Sequence, residues 1–326
     1  EHLPQRPASS IAAEDVVVGW RVRGDVLTLL NRQEQALASY GRAADLAAHW
    51  LASDHRAALQ ALIARADSFT YFNYDPEHLA AAEQAVNRVT AARGRLRPDV
   101  LLTKSERAYG LALVSAGRGV EALSIMRRVL EDTRRLDVAD TPRVADAEWG
   151  LAVVLLNQGI LEEAIPLMEH VVQHEERLGT NDSQALLERM AWLGLMYSAA
   201  AMPDEARRTA ESTDRLVAQV QSVSEPIRHR NALTKAYAAA YSGDGSGADA
   251  LTQEIISQAG VPAIFRLEAL SLAAANARLQ GEAARALEIA RRLEHDPDFG
   301  GLPLHIRAAY FSSAAAARLA SGEMDG

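Results

Sequence analysis

Residues 141–168 read TPRVADAEWGLAVVLLNQGILEEAIPLM, and this stretch decides the architecture. Its apolar residues follow helical spacing, with no strict alternation of the kind a half-buried strand would show. Thr141 can cap a helix whose first turn accepts Pro142, where a missing N–H costs nothing. Gly159 can end that helix in a left-handed conformation. Ala164 then opens a second helix, and a small residue there lets the two helices approach closely. The stretch reads as a helix, a tight turn and a second helix packed back on the first.

The same pattern recurs along the chain. Ala36, Ala82, Ala122, Ala164, Ala206, Ala250 and Ala286 mark the second helices, at spacings of 46, 40, 42, 42, 44 and 36 residues. Self-similarity at a period near 42 signals a solenoid. Each period holds two helices of about 15 residues plus turns. Pro98, Pro142, Pro226, Pro262 and Pro303 sit near the starts of first helices, and Gly117, Gly159, Gly281 and Gly322 near their ends. GDGSG at 243–247 makes a looser turn of the same kind. The pattern predicts fifteen helices, over 14–31, 33–52, 54–72, 76–93, 99–117, 119–136, 142–158, 161–178, 183–200, 203–222, 226–242, 247–259, 263–280, 283–295 and 303–321. Residues 1–13 are expected to be a flexible segment, and 14–326 a single superhelix of seven pairs plus a last helix. No convincing run of alternating β-branched residues competes with this; VVV at 16–18 leads straight into a helical pattern.

The units resemble the tetratricopeptide repeat, whose pattern is W-x2-L-G-x2-Y, a turn, then A-x3-F and a further small residue. In the first unit Trp20, Gly24, Leu27, Ala36, Tyr40 and Ala43 take these places. The third offers Tyr109-Gly110, Leu113, Ala122 and Met126, and the fourth Leu151-Ala152, Leu155, Ala164 and Met168. The fifth offers Leu193-Gly194, Tyr197, Ala206 and Ala210; the sixth Tyr237-Ala238, Tyr241 and Ala250; the seventh Ala273-Ala274, Ala277, Ala286 and Ala290. The second is poorest, with Phe69, Asn73, Ala82 and Val86. The simple repeat has 34 residues and these are longer, so HEAT repeats of 40–47 residues are the structural alternative. The glycine-or-alanine pair in the first helix favours the tetratricopeptide pattern. The resemblance implies an all-α, right-handed solenoid that is stabilised by stacking, since no unit buries its apolar face alone.

Composition excludes several classes. Of 326 residues, 48% are hydrophobic and 24% charged, as in ordinary globular chains. There is no cysteine, which removes disulfides, thiolate metal sites and cysteine nucleophiles. A net charge of −9 argues against a general nucleic-acid surface. No apolar run approaches the roughly 18 residues of a transmembrane helix, and EHLPQRPASS has no apolar signal core, so cytoplasmic residence and no membrane partner are expected. The last helix ends in SGEMDG, parallel to LQGEAA at 279–284, so the chain is expected to be a fragment or to use that helix as its cap.

Motifs for chemistry are thin. His170 and His174 lie one helical turn apart but lack a third ligand and the H-E-x-x-H order; they read as a solvated face. GDGSG lacks the lysine of a phosphate loop. Arg228, His229 and Arg230 read as a solvated helix end. No catalytic residue, metal site or cofactor fingerprint emerges. The resemblance instead points to the concave face, which first helices line. Register places Arg21 and Asp25, Tyr71 and Tyr74, Lys104 and Arg107, Trp149, Trp192 and Lys235 there. Lys104, Arg107, Trp149 and Trp192 are expected to line one continuous groove, aromatic and basic, suited to an acidic or amphipathic protein or peptide partner. Leu111, Val153 and Leu195 stand where chaperone-binding members carry clamp asparagines, so that ligand is not implied. The expected function is a non-catalytic protein- or peptide-binding module, the regulatory or scaffolding part of a larger bacterial signalling protein such as a kinase or ATPase-type transcription regulator. A stand-alone peptide-sensing receptor and a helical-solenoid enzyme are the alternatives.

Overall fold

A computed structural model describes residues 7, 9–30, 32–68, 76–93, 99–137, 141–179, 184–220, 223–301 and 304–322. Among them are fifteen α-helices and no strand: α1 (Ser10–Leu29), α2 (Gln33–Trp50), α3 (Arg56–Asp67), α4 (Pro76–Arg93), α5 (Val100–Ser115), α6 (Gly119–Leu136), α7 (Pro142–Asn157), α8 (Leu161–Arg177), α9 (Gln184–Ala199), α10 (Pro203–Val217), α11 (Glu225–Tyr241), α12 (Gly245–Ser257), α13 (Ala263–Leu279), α14 (Ala283–Glu294) and α15 (Leu304–Ser321). They form two compact units, 1–160 and 161–326. None of the helices is long and apolar enough to cross a membrane.

Within each unit every helix packs on the next in sequence. First helices also pack on one another: α1 on α3, α3 on α5 and α5 on α7 in the first unit, α9 on α11, α11 on α13 and α13 on α15 in the second. Contacts between consecutive second helices are sparser. Rows packed more tightly on one side must curve toward that side, so the first helices line the inner face of each unit.

The close approach rests on small residues. Ala36, Ala82, Ala122, Ala164, Ala206 and Ala286 have no exposed surface. Ala250 does not share that position: it is exposed, and Ala248 is the fully buried one. The reason lies in the turn, where Asp244 Oδ1 accepts the Gly247 N–H at 2.9 Å and starts α12 two residues earlier than expected. Glycine plays the matching role on first helices. A Cβ on Gly24 would lie 2.5 Å from the Tyr40 ring, one on Gly110 2.8 Å from Met126 Sδ, and one on Gly194 2.9 Å from Thr234 Cγ2. Trp20 packs half-buried on the core between α1, α2 and α3, with the Arg23 guanidinium 4.9 Å above its ring.

Turns repeat with the helices. Gly117, Gly159, Gly243 and Gly281 adopt φ between 72° and 83°. The residue after each donates back across the helix end, as Arg118 N does to the Leu113 carbonyl at 2.8 Å and Glu282 N to Ala277 at 2.9 Å. Ala201 occupies the same place at φ 53°, with Met202 N bonded to the Tyr197 carbonyl at 2.9 Å.

Several helix ends differ from the sequence expectation, among them that of α10, which ends at Val217 rather than 222. The segment through residue 13 is not wholly flexible: α1 begins at Ser10, because the Ser9 hydroxyl accepts the Ala12 N–H at 3.1 Å and Ala13 is fully buried. The first helix of the second pair ends at Asp67 rather than 72. Residues 69–75, with the expected repeat positions Phe69 and Asn73, lie outside the described residues, as do Pro98, Pro303 and residues 182–183.

Two substitutions test this packing. Gly110→Leu drives a branched side chain onto buried Met126 and is expected to cost about 1–3 kcal/mol, read as a lower midpoint in urea unfolding. Ala201→Gly relieves a left-handed alanine, which costs roughly 1–2 kcal/mol, against a glycine chain-entropy penalty of roughly 0.5–1 kcal/mol. It should raise stability slightly; an unchanged or lower midpoint would contradict the strain.

Candidate functional site

The inner face of the first unit holds a cavity of about 610 Å³, walled by α1, α3 and α5. Helix α3 supplies Arg56, Gln60, Ile63 and Asp67, one face of a helix at spacings of three and four. Arg21 and Asp25 come from α1, Lys104 from α5, and Asp99 from the residue that caps α5. A smaller cavity of about 70 Å³ adjoins it and shares Asp67, Lys104 and Leu136, adding Arg107, Asp137, Arg143 and Asp146.

The carboxylates of the larger cavity are engaged within the protein. Asp25 accepts from Arg21 at 2.8 Å and from the Tyr40 hydroxyl at 2.9 Å. Burial, reinforced by Asp25 and opposed by a Thr28 hydrogen bond, pushes that hydroxyl up to about 12. Asp99 Oδ1 accepts the N–H groups of Leu101 and Leu102 at 2.9 and 3.0 Å. Asp67 Oδ2 accepts from Arg107 at 2.9 Å, while its Oδ1 is shielded from water and finds no hydrogen-bond partner among the described residues. The cations are less occupied. Arg56 and Lys104 are exposed, and neither forms an ion pair among the described residues.

The residues singled out in the sequence divide. Arg21 and Lys104 line the cavity, and Lys104 and Arg107 its smaller neighbour. Trp149 and Trp192 are only 3% and 6% exposed. Arg107 lies 6.0 Å from the Trp149 ring centroid and Arg230 6.0 Å from that of Trp192. Both indoles are therefore packed inside the helix rows and present no face to a ligand. Lys104, Arg107 and Trp149 belong to the first unit, whereas Trp192 and Lys235 belong to the second. Lys235 is held by Asp214 of α10 at 2.9 Å. Tyr71 and Tyr74 lie outside the described residues. The cavity is balanced in charge, with three carboxylates facing three cations, rather than basic.

Arg56, Gln60 and Asp67 escape the repeat pattern, because matching Phe69 and Asn73 to it slides α3 past its true end. The spacing 56, 60, 63, 67 is the signal that could have found them. Two readings of surface charge also change. His174 is 4% exposed, and among the described residues no His, Asp and Glu group could hold a metal ion. His229 and Arg230 are buried rather than solvated. A single nitrogen of Arg230, Nη1, donates to both oxygens of Glu268 at 2.9 and 2.7 Å, with the Phe265 ring 5.1 Å from the guanidinium. Desolvation lowers the His229 imidazole below its ordinary range.

Asp67 gives a pH signature. The protein crowded around it raises its carboxyl above the ordinary 3.8, against the opposing charge of Arg107. A folded-state value above the unfolded one means that the folded chain holds the proton to higher pH. The stability from this group is fully present below the ordinary value and is lost as pH rises through the raised one. Asp67→Asn cannot ionise, so its melting temperature should fall less than that of the parent as pH rises above the ordinary carboxyl value. Parallel calorimetric pH profiles for the two proteins would contradict the burial of this charge.

No protein-family model and no curated protein matches the chain. Solved structures do. A Rap protein complexed with Competence and Sporulation Factor aligns at TM-score 0.57 and 14% identity, over 93% of this chain and 75% of that one. BtubC (BKLC) from P. vanneervenii aligns at 0.51 and 18%, over 68% and 89%. A tetratricopeptide repeat protein from Parabacteroides merdae aligns at 0.50 and 16%, over 81% and 87%. At such identities the likeness is one of fold. With the buried alanines, the turn residues and the stacked first helices, it makes the chain an all-α repeat solenoid of the tetratricopeptide type.

Proposed function

We propose that the chain is a non-catalytic module that binds an amphipathic peptide carrying acidic residues, within a bacterial regulatory protein. The observation that carries this reading is the cavity on the inner face of the first unit, where Arg56 and Lys104 are exposed and form no ion pair among the described residues. Such cations attract carboxylates, and Ile63, Val100, Leu101 and Leu136 give the same cavity an apolar wall. Arg21 and Arg107 hold Asp25 and Asp67 in place rather than meeting the peptide's charge. The Ala-, Arg- and Leu-rich composition supports a bacterial source. A stand-alone peptide receptor is the second reading. It is favoured by the likeness to the Rap protein, which was solved with a bound factor and aligns with 93% of this chain.

The test is binding of fluorescent free hexapeptides, one library rich in Asp, Glu and Leu and a second in which Lys replaces the acids. The acidic library should bind, and binding should weaken as salt rises. Lys104→Glu and Arg56→Glu should each reduce it about tenfold. Lys235→Glu in the second unit should leave it unchanged. Equal binding of the two libraries, or indifference to both charge reversals, would sink the reading.

A further inference from the structure

Helix α1 is apolar on two sides. Ala13, Val17, Trp20 and Leu27 pack on α2 and α3. Away from that core, Val22 and Val26 are 43% and 48% exposed, and Ile11, Val16 and the capping Leu30 are exposed with them. Eleven large apolar side chains are exposed among the described residues, and α1 with its cap carries five. Single exposed apolar residues need no explanation, whereas a row of them on one helix marks a contact surface. Val22, Val26 and Leu30 follow at intervals of four, with Gly19 one turn before them. A Cβ on Gly19 would meet nothing within 4 Å. Glycine weakens a helix interior. At Gly24, Gly110 and Gly194 a side chain of another helix fills the space it leaves, but at Gly19 that space is open.

The charges on this face select its occupant. Asp15 lies four residues before Gly19, and Arg23 four after it. Both are exposed, and neither forms an ion pair among the described residues. The face is therefore complementary to itself. When a second α1 crosses it antiparallel at Gly19, Asp15 of each copy lies opposite Arg23 of the other. Val16 then lies opposite Val22, and Ala12 opposite Val26. A parallel pair would instead set Asp15 against Asp15 and Arg23 against Arg23. Exposed ion pairs add little energy, but they fix orientation.

We propose that α1 is the interface of a twofold dimer of this chain, in which two antiparallel copies of the helix cross at Gly19. The same patch serves both copies, as twofold symmetry requires. The paired glycines let the helix axes approach to about 8 Å, the low end of helix packing. Val16, Val22 and Val26 of each copy cover the crossing of the other, and the two Asp15–Arg23 pairs flank it. At roughly 100° per residue, Arg21 and Asp25 of the cavity wall stand more than a quarter turn from Gly19. The dimer seam and the cavity are thus separate surfaces of one helix.

The experiment is sedimentation equilibrium of the full chain over roughly a hundredfold range of concentration. The parent should pass from monomer to dimer as concentration rises. Gly19→Leu places a side chain at the crossing and touches nothing in its own chain, so it should weaken the dimer about tenfold or more. At a dilution where both are monomers it should melt no lower than the parent, because leucine favours a helix over glycine. Asp15→Arg and Arg23→Asp each bring like charges together and should each weaken the dimer about tenfold. The two exchanged together restore the pairs and should recover the parent's association, which damage to the fold could not do. A parent that stays monomeric throughout would overturn the interface. A dimer that Gly19→Leu and both single charge reversals leave unchanged would overturn it equally, since the contact would then lie elsewhere.

Discussion

In all seven pairs an alanine with no exposed surface sits where the second helix meets the first, and this close approach is the constraint on which the architecture depends. A larger side chain there would push the helices apart. The first helices could then no longer stack on one another at α1–α3–α5–α7 and α9–α11–α13–α15. Each pair has only a thin apolar face of its own, so the core is made between pairs. Ala13, Ala43, Ala47, Ala57, Ala58 and Ala61 thus share one cluster with Val17, Leu46 and Trp50.

That constraint is what makes the fold legible. A small residue every forty-odd positions, with a turn residue ahead of it, stands out in the sequence however varied the surface around it. The turns at 117, 159, 201, 243 and 281 even keep a spacing of 42 residues through four of the five. Legibility fails where local chemistry shifts the register without changing composition. Asp244 caps α12 early, so Ala248 rather than Ala250 takes the buried place. Helix α3 stops at Asp67, short of the expected 72, although Ala82 of the same pair takes its buried place.

The cavity is harder to read, for a different reason. A sequence displays charges but not their partners. Arg21 and Arg107 look identical to Arg56 on paper, yet they are engaged by Asp25 and Asp67. The tryptophans invite a similar error. Trp149 and Trp192 lie on first helices, but each is turned into the stack with an arginine near its ring. Buried Arg230 and partly buried Glu268, thirty-eight residues apart, cannot be paired by inspection of either helix alone.

Met126 has a mechanical consequence. Its sulfur lies where a Cβ on Gly110 would meet it, and its methyl group where one on Gly150 would, so one side chain fills the space between α5, α6 and α7. Methionine is unbranched and has three rotatable bonds, and it can refill a gap whose shape changes. At Gly194 the space is filled by Thr234, whose β-branched side chain is stiff about χ1. The contact around Gly110 and Gly150 can therefore repack when its shape changes, whereas the one at Gly194 is held by a stiffer side chain.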